Sequence, residues 1–270
     1  MKILVCDRLE EKVLDKFEEL GEITNISESK TKTEDLKSNI VDTEIVVIRS
    51  GTKINKDILE NANNLKIIAR CGVGVDNVDV EEATNKKIYV TNSPNANIIS
   101  VAELTIGLII SAARKIHVSN NSLKDKKWDR NKFLGTELYQ KQLGLVGFGK
   151  AAKEVAKRLS AFGMNIVFYD PYVDSSTIEA KKVDLDELLK TSDVISIHVV
   201  KTEETTNLIN NEKLNLIKKG GILVNTSRGG IIDEESLFQK ANEDLIFAGL
   251  DVFSQEPPDI NETFSKSNIV

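Results

Sequence analysis

Two hydrophobic rhythms alternate along the chain. The short runs Ile3–Cys6, Glu22–Asn25, Ile45–Ile48, Lys66–Ala69 and Ile88–Val90 are rich in branched side chains and read as strands. Between them, Glu10–Leu20, Lys56–Asn63 and Asp79–Thr84 mix polar and apolar residues at helical spacing. The same alternation returns from Gln142. Strands are expected at Gln142–Val146, Asn165–Tyr169, Val194–His198, Ile222–Asn225 and Phe247–Leu250, and helices near Lys150–Phe162, Asp184–Lys190, Asn211–Leu216 and Glu234–Asn242. Repeated βα units predict parallel sheets covered on both faces.

Asn92-Ser93-Pro94-Asn95 breaks the rhythm, because proline pushes its predecessor out of the helical region. A domain boundary is therefore expected after Pro94, giving domains 1–94 and 95–270, with hinge motion about Asn92–Asn97. One long helix, Ile98–His117, should follow, with Ser100 as a candidate cap and Glu103 at the capping-box spacing. Its apolar residues Leu104, Ile106, Leu108, Ile109 and Ile110 cover more than one face, so a homodimer through helix 98–117 is expected. Lys124–Lys132 reads as a solvated stretch anchored by Trp128.

Composition narrows the partners. The chain has 270 residues, a net charge of -6 and a pI of about 5.3, with 40% hydrophobic and 29% charged residues. An acidic chain without a basic block is a poor ligand for nucleic acid or an anionic membrane surface. No apolar stretch approaches the roughly 20 residues needed to span a bilayer. Lys2-Ile3-Leu4-Val5 already reads as a core strand rather than a secretory leader, so a cytoplasmic protein is expected. Cys6 and Cys71 fit no metal or redox pattern and read as buried thiols.

The richest segment is Leu143-Gly144-Leu145-Val146-Gly147-Phe148-Gly149-Lys150-Ala151-Ala152. It reads as a strand, a glycine turn and a helix start. Gly147 permits the tight turn, Gly149 lets backbone approach a phosphate, and Ala152 is small enough for helix–strand packing. The helix N-terminus then offers N–H groups and positive potential to a pyrophosphate. Asp170 ends the next strand, 18 residues after Ala152, where a carboxylate accepts from ribose hydroxyls and repels a 2′-phosphate. The expected cofactor is therefore NAD.

Ligands of such sheets bind at the carboxyl ends of the strands. In the second domain that rule selects Asp170, His198-Val199, Thr226-Ser227-Arg228 and Asp251, and in the first Arg49 and Arg70-Cys71-Gly72-Val73-Gly74. The guanidinium fork of Arg228 suits a carboxylate or keto acid, or else pairs with Asp233 at the surface. Arg49 and Arg70 suit an anionic substrate, though each alone could be a surface ion-pairing group. Glu256 could orient a histidine, or mark only a turn before Pro257-Pro258; Asp251 could accept from a carboxamide, or from its own turn. His117 should lie solvated at a helix end, and His198 reads as a structural strand-end histidine.

The segments Ala69–Asp79, Lys127-Trp128, Lys132–Leu138, the glycine turn, Asn225–Asp233 and Gly249–Pro258 together resemble the D-isomer-specific 2-hydroxyacid dehydrogenases, with Trp128–Leu138 leaning toward the phosphoglycerate branch. The resemblance implies two doubly wound parallel-sheet α/β domains, a flavodoxin-like substrate-binding domain and a Rossmann NAD-binding domain. It implies NAD-dependent oxidation of 3-phospho-D-glycerate to 3-phosphooxypyruvate in serine biosynthesis. The alternatives are a glyoxylate/hydroxypyruvate or D-lactate enzyme and, further off, a non-enzymatic NAD-responsive binding protein. It implies that Arg228 anchors the substrate and that Glu256 pairs with a catalytic histidine. Gly147, Gly149, Lys150 and Ala151 would hold the pyrophosphate and Asp170 the ribose. Val73, Val199, Thr226, Ser227, Arg228 and Asp251 would line the nicotinamide side, His198 would stand beside the cofactor without being the catalytic histidine, and Arg49, Arg70 and Asn97 would contact substrate. The family's acid–base histidine sits in a Pro-His pair just after a strand like Asn268-Ile269-Val270, where the sequence given stops, so the expectation is a chain that binds NAD and catalyses poorly.

Overall fold

A computed structural model describes residues 1–30, 32–259 and 268–270, which divide into two compact units, Met1–Asn97 and Ile98–Val270. The first unit holds β1 (Lys2–Val5), β2 (Glu22–Asn25), β3 (Ile45–Ile48), β4 (Ile67–Arg70) and β5 (Tyr89–Asn92), all parallel, in the order β2-β1-β3-β4-β5. This is the flavodoxin-like order, in which the sheet reverses direction between β1 and β3. Helices α1 (Glu11–Glu18), α2 (Lys32–Asn39), α3 (Lys56–Glu60) and α4 (Val80–Asn85) make the connections. Alternate strand residues serve opposite faces. Leu4, Val46, Ile48 and Ile68 pack with Leu36, Ile58, Leu59 and Ala83, while Ile3, Val5 and Val47 pack with Leu14 and Phe17.

The second unit opens with α5 (Ile98–Arg114) and α6 (Ile116–Lys124), then builds β6 (Gln142–Val146), α7 (Lys150–Ser160), β7 (Asn165–Tyr169), β8 (Lys181–Lys182), α8 (Leu185–Thr191), β9 (Val194–Ile197), α9 (Asn211–Leu214), β10 (Gly221–Asn225), α10 (Glu234–Asn242) and β11 (Ile246–Leu250). Its sheet order, β11-β10-β9-β6-β7-β8, is the Rossmann order, with the reversal between β6 and β9. Every residue of β9 and β10 is buried, as the central strands of a doubly covered sheet must be. Ile269 bridges Ala248 in parallel, so Asn268–Val270 lies along the open edge of β11.

Several expectations are corrected. The compact units part after Asn97, not after Pro94. Asn92 Nδ2 donates to the Val73 carbonyl and Ser93 N–H to the Gly72 carbonyl, which ties the proline segment to the first sheet. The expected helix 98–117 is two helices, broken at Lys115 in the left-handed region (φ 54°). Ser100 lies inside the first turn of α5 and does not cap it. His117, expected to be solvated, is instead the second residue of α6 and half-buried, and this burial holds its pKa below the usual histidine range. Much of the apolar excess of α5 is satisfied within the unit. Ala102, Ile109, Ala112 and Ala113 are buried, Ile106, Leu108 and Ile110 half-buried, and Ile99 and Leu104 remain exposed. The sequence pattern also missed α2 and the two-residue strand β8. Cys6 and Cys71 are free thiols that join clusters on opposite faces of the first sheet; burial, aided by Asp7, pushes Cys6 up to about 12.

Candidate cofactor and substrate site

The glycine turn lies at the reversal point of the second sheet. β6 delivers Gly147 with φ +88°, a conformation that costs other residues strain, and a Cβ there would come within 2.8 Å of the His198 backbone. Phe148 turns inward, fully buried, and stacks on Phe168 of β7 with ring centroids 4.0 Å apart. Gly149 then caps α7 without a side-chain hydrogen bond, and a Cβ on it would meet nothing within 4 Å. The helix therefore begins beside open space, with Ala152 fully buried behind it. An uncapped helix start bordered by a bare glycine fits the pyrophosphate of a dinucleotide.

Asp170 does more than its strand-end position indicates. Its Oδ2 accepts the Phe148 N–H at 2.8 Å, and its Oδ1 accepts the N–H groups of Tyr172 (2.8 Å) and Val173 (3.1 Å). The carboxylate thus fixes the glycine turn and its own loop. Ionised oxygens have about four acceptor positions in total, so capacity remains for ribose hydroxyls.

At the end of β9, His198 Nε2 lies 2.9 Å from Ser196 Oγ. The residue keeps some surface open, but its ring is closely packed, and this desolvation pushes its pKa down to about 4. His198 is therefore neutral at physiological pH. Its neighbour Val199 packs against the sheet's hydrophobic cluster.

The end of β10 is shaped by Asn225, which is buried. Its Oδ1 accepts from Ser227 N–H (3.0 Å) and Ser227 Oγ (2.8 Å), and its Nδ2 donates to the Arg228 carbonyl (2.8 Å). This side-chain clamp forces the turn that presents Arg228, whose Nη1 donates to the Ser227 carbonyl. Thr226 faces inward, its hydroxyl 2.7 Å from that of Thr105 on α5. Asp233 uses its carboxylate on Ser236, as the N-cap of α10. At the end of β11, Asp251 N–H donates to the Asn225 carbonyl. Asp251 keeps open surface, yet partial desolvation and then the Glu256 carboxylate raise its pKa. Glu256 itself accepts the Phe253 N–H. Arg228, Asp251 and Glu256 thus sit on adjoining turns tied together by backbone.

The first unit presents its own set. Arg49 is exposed after β3, its N–H donating to buried Asp7 at 2.6 Å and its Nη1 reaching the Arg8 carbonyl. Arg49 also borders a hollow of roughly 640 Å³ shared with Arg8, Asn25 and Ser27. The Arg70 guanidinium folds over Gly72, so close that a Cβ there would collide with it. Val73 and Asn97 are exposed. Asn77 Nδ2 donates to the Arg49 and Thr52 carbonyls and fixes the loop after β3. Sequence reading missed Asp7, Asn77, Phe148 and Asn225. Asp7, Asn77 and Phe148 work through partners distant in sequence, whereas Asn225 bonds Ser227 and Arg228 just beyond it, a local turn signal that could have been read. Among the described residues no group of His, Cys, Asp and Glu could hold a metal ion, and no helix is long and apolar enough to cross a membrane.

Comparison with known proteins agrees with this geometry. Residues 106–270 match the family described as D-isomer specific 2-hydroxyacid dehydrogenase, NAD binding domain. The whole chain is 46% identical to D-3-phosphoglycerate dehydrogenase of Methanocaldococcus jannaschii, of which it spans 52%. It is 45% identical, over 95% of its own length and 84% of the relative's, to hydroxypyruvate reductase of Thermotoga maritima. A solved Thermus thermophilus protein superposes with a TM-score of 0.93 at 33% identity, covering all of this chain and 88% of that one. The chain spans about half the length of the phosphoglycerate dehydrogenases it matches. The open glycine turn, the strand-end aspartate and these matches together place the chain in the D-isomer-specific 2-hydroxyacid dehydrogenase family, with residues 106–270 as its NAD-binding domain.

Proposed function

We propose that this chain serves the NAD-dependent oxidation of 3-phospho-D-glycerate to 3-phosphooxypyruvate, a step of serine biosynthesis, as a cytoplasmic homodimer. The observation that carries the reading is the open glycine turn braced by Asp170 in the second unit; the first unit by itself carries the cationic strand-end residues Arg49 and Arg70. The nicotinamide ring supplies a hydride acceptor when the cofactor is bound. Gly147, Gly149, Lys150 and Ala151 would hold its pyrophosphate, and Asp170 its ribose. Val73, Val199, Ser227 and Asp251 would border the nicotinamide. Arg228 would fix the substrate carboxylate, and Arg49, Arg70 and Asn97 would receive the far, phosphorylated end. His198, neutral and engaged with Ser196, is given no proton-transfer role. Glu256 would orient an acid–base histidine.

The experiment is NADH formation with 3-phospho-D-glycerate, run on this chain and on a version continued past Val270. Activity on phosphoglycerate, with Arg49→Gln raising its KM about tenfold and leaving KM for unphosphorylated acids within about twofold, supports the reading. Activity on hydroxypyruvate or glyoxylate but not on phosphoglycerate would replace it with the reductase reading, which the 84% coverage of the Thermotoga relative favours. The dimer rests on exposed Ile99 and Leu104. Leu104→Lys should yield monomer in sedimentation, and a monomeric parent at micromolar concentration would refute the dimer.

A further inference from the structure

Glu234 is the first residue of α10, and nothing above gives it a role. A carboxylate in a first helical turn ordinarily serves its own helix, through the dipole or a cap. Here Asp233 already caps α10 by accepting from Ser236 N–H. Glu234 reaches away from the helix instead. Its Oε1 accepts the Ser254 N–H at 2.6 Å and the Gly230 N–H at 3.4 Å, and its Oε2 accepts the Ser254 hydroxyl at 2.7 Å. Ser254 belongs to the turn after β11 that carries Asp251 and Glu256, and Gly230 belongs to the turn after β10 that carries Arg228. One carboxylate therefore bonds both turns. They also touch directly, since a Cβ on Gly229 would fall 1.8 Å from the Phe253 carbonyl oxygen, so only glycine lets them close on each other.

We propose that Glu234 is a positioning residue that locks the Arg228 turn to the Glu256 turn and so fixes how an anionic 2-oxo or 2-hydroxy acid is seated. The proposal rests on the reading of Arg228 as the substrate anchor. Glu234 touches neither substrate nor cofactor; it acts through the two turns. Charge-assisted hydrogen bonds to backbone N–H groups are the stronger kind, and a small misplacement of a binding group is enough to depress turnover.

The test uses the parent with Glu234→Ala, Glu234→Gln and, as a control, Glu235→Ala. Glutamine keeps an oxygen for the Ser254 and Gly230 N–H groups. The first readout is amide hydrogen exchange without ligand. Glu234→Ala should speed exchange about tenfold in both segments 227–231 and 252–256 while sparing residues 1–97, with Glu234→Gln within about threefold of the parent. Unchanged exchange in either segment overturns the lock. The second readout is kinetic. Glu234→Ala should raise KM for the oxo acid about tenfold while NADH affinity, followed through Trp128 fluorescence, stays within about twofold, and Glu234→Gln should recover most of the loss. Equal losses for acid and NADH, or no rescue by glutamine, would mean a purely structural role and overturn the positioning claim. A parent that turns over no 2-oxo or 2-hydroxy acid would sink the functional reading instead, and the exchange readout would still decide the lock.

Discussion

The two units share one architecture and treat its reversal point in opposite ways. In the second sheet the reversal between β6 and β9 carries Gly147, which lets the turn close on the His198 backbone, and Gly149, beside open space, and the negative charge of Asp170 is set one strand away, just after β7. In the first sheet a carboxylate stands at the reversal between β1 and β3. Asp7 sits there, with Oδ2 on the Arg49 N–H and Oδ1 on Lys32 Nζ at 2.5 Å. Burial alone would raise the Asp7 pKa, but its bonds to Lys32 and the Arg49 N–H outweigh this and hold it low, so a carboxylate occupies the place where the other unit would admit a phosphate. One sheet thus offers backbone dipoles to an anion, and the other offers the side-chain cations Arg49 and Arg70 on turns braced by Asp7 and Asn77. The general rule about carboxyl strand ends gives the location of a site. Which residue stands at the reversal point decides its chemistry.

The comparison breaks most sharply at Gly147. Gly147→Ala forces a positive φ on a residue with a Cβ and presses that Cβ on the His198 backbone, so stability should fall by on the order of 3 kcal/mol and NADH affinity about 100-fold. Denaturant titration and calorimetry would check both; an alanine variant that binds NADH normally would show that the open turn is not the cofactor's seat.

His198 gives the next effect. Its folded pKa of about 4 lies below the ordinary 6.5, so from pH 6.5 downward the unfolded chain takes up a proton that the folded chain refuses. Stability should therefore fall as the pH drops from 6.5 toward 4 and level off below, by at most on the order of 3 kcal/mol. His198→Asn should flatten that part of a stability-versus-pH curve, and an unchanged slope would exclude His198 as its source.

Asp7→Ala should cost about 2 kcal/mol, because the Arg49 N–H and the Lys32 ammonium lose their buried acceptor. It should raise KM for the anionic substrate and create no nucleotide site in the first unit; NADH titration of a variant also carrying Gly147→Ala would test the second point. Asp170→Ala should have the smallest effect, weakening NADH about tenfold and NADPH less, since the remaining turn loses one brace but also one repulsive charge. Equal losses for both nucleotides would limit Asp170 to a structural role.

The difference between the two crevices was only half legible in the sequence. The glycine turn announces itself because each of its requirements is local: small residues at fixed offsets, a strand before and a helix after. Asp170 could be placed by counting, although its three backbone bonds could not. The carboxylate at the first reversal left no signal, because Asp7 acquires its role from Arg49 and Lys32, 42 and 25 residues away. Glu234 was invisible for the same reason, since Ser254 lies 20 residues on. The break in helix 98–117 was missed because the left-handed residue is Lys115 rather than glycine or asparagine, the usual markers. Strand β8 has two lysines and no hydrophobic alternation, so it forms only because β7 offers an edge.

The stacked pair Phe148–Phe168 has a thermodynamic consequence. A loop whose central residue is anchored before any nucleotide arrives has little freedom left to surrender on association. Complex formation should therefore proceed at a rate insensitive to added viscogen beyond simple diffusion, without a slow isomerisation phase in stopped-flow traces. Phe148→Ala would loosen that anchor and make the forward rate constant, rather than the dissociation rate alone, depend on the protein's own motion.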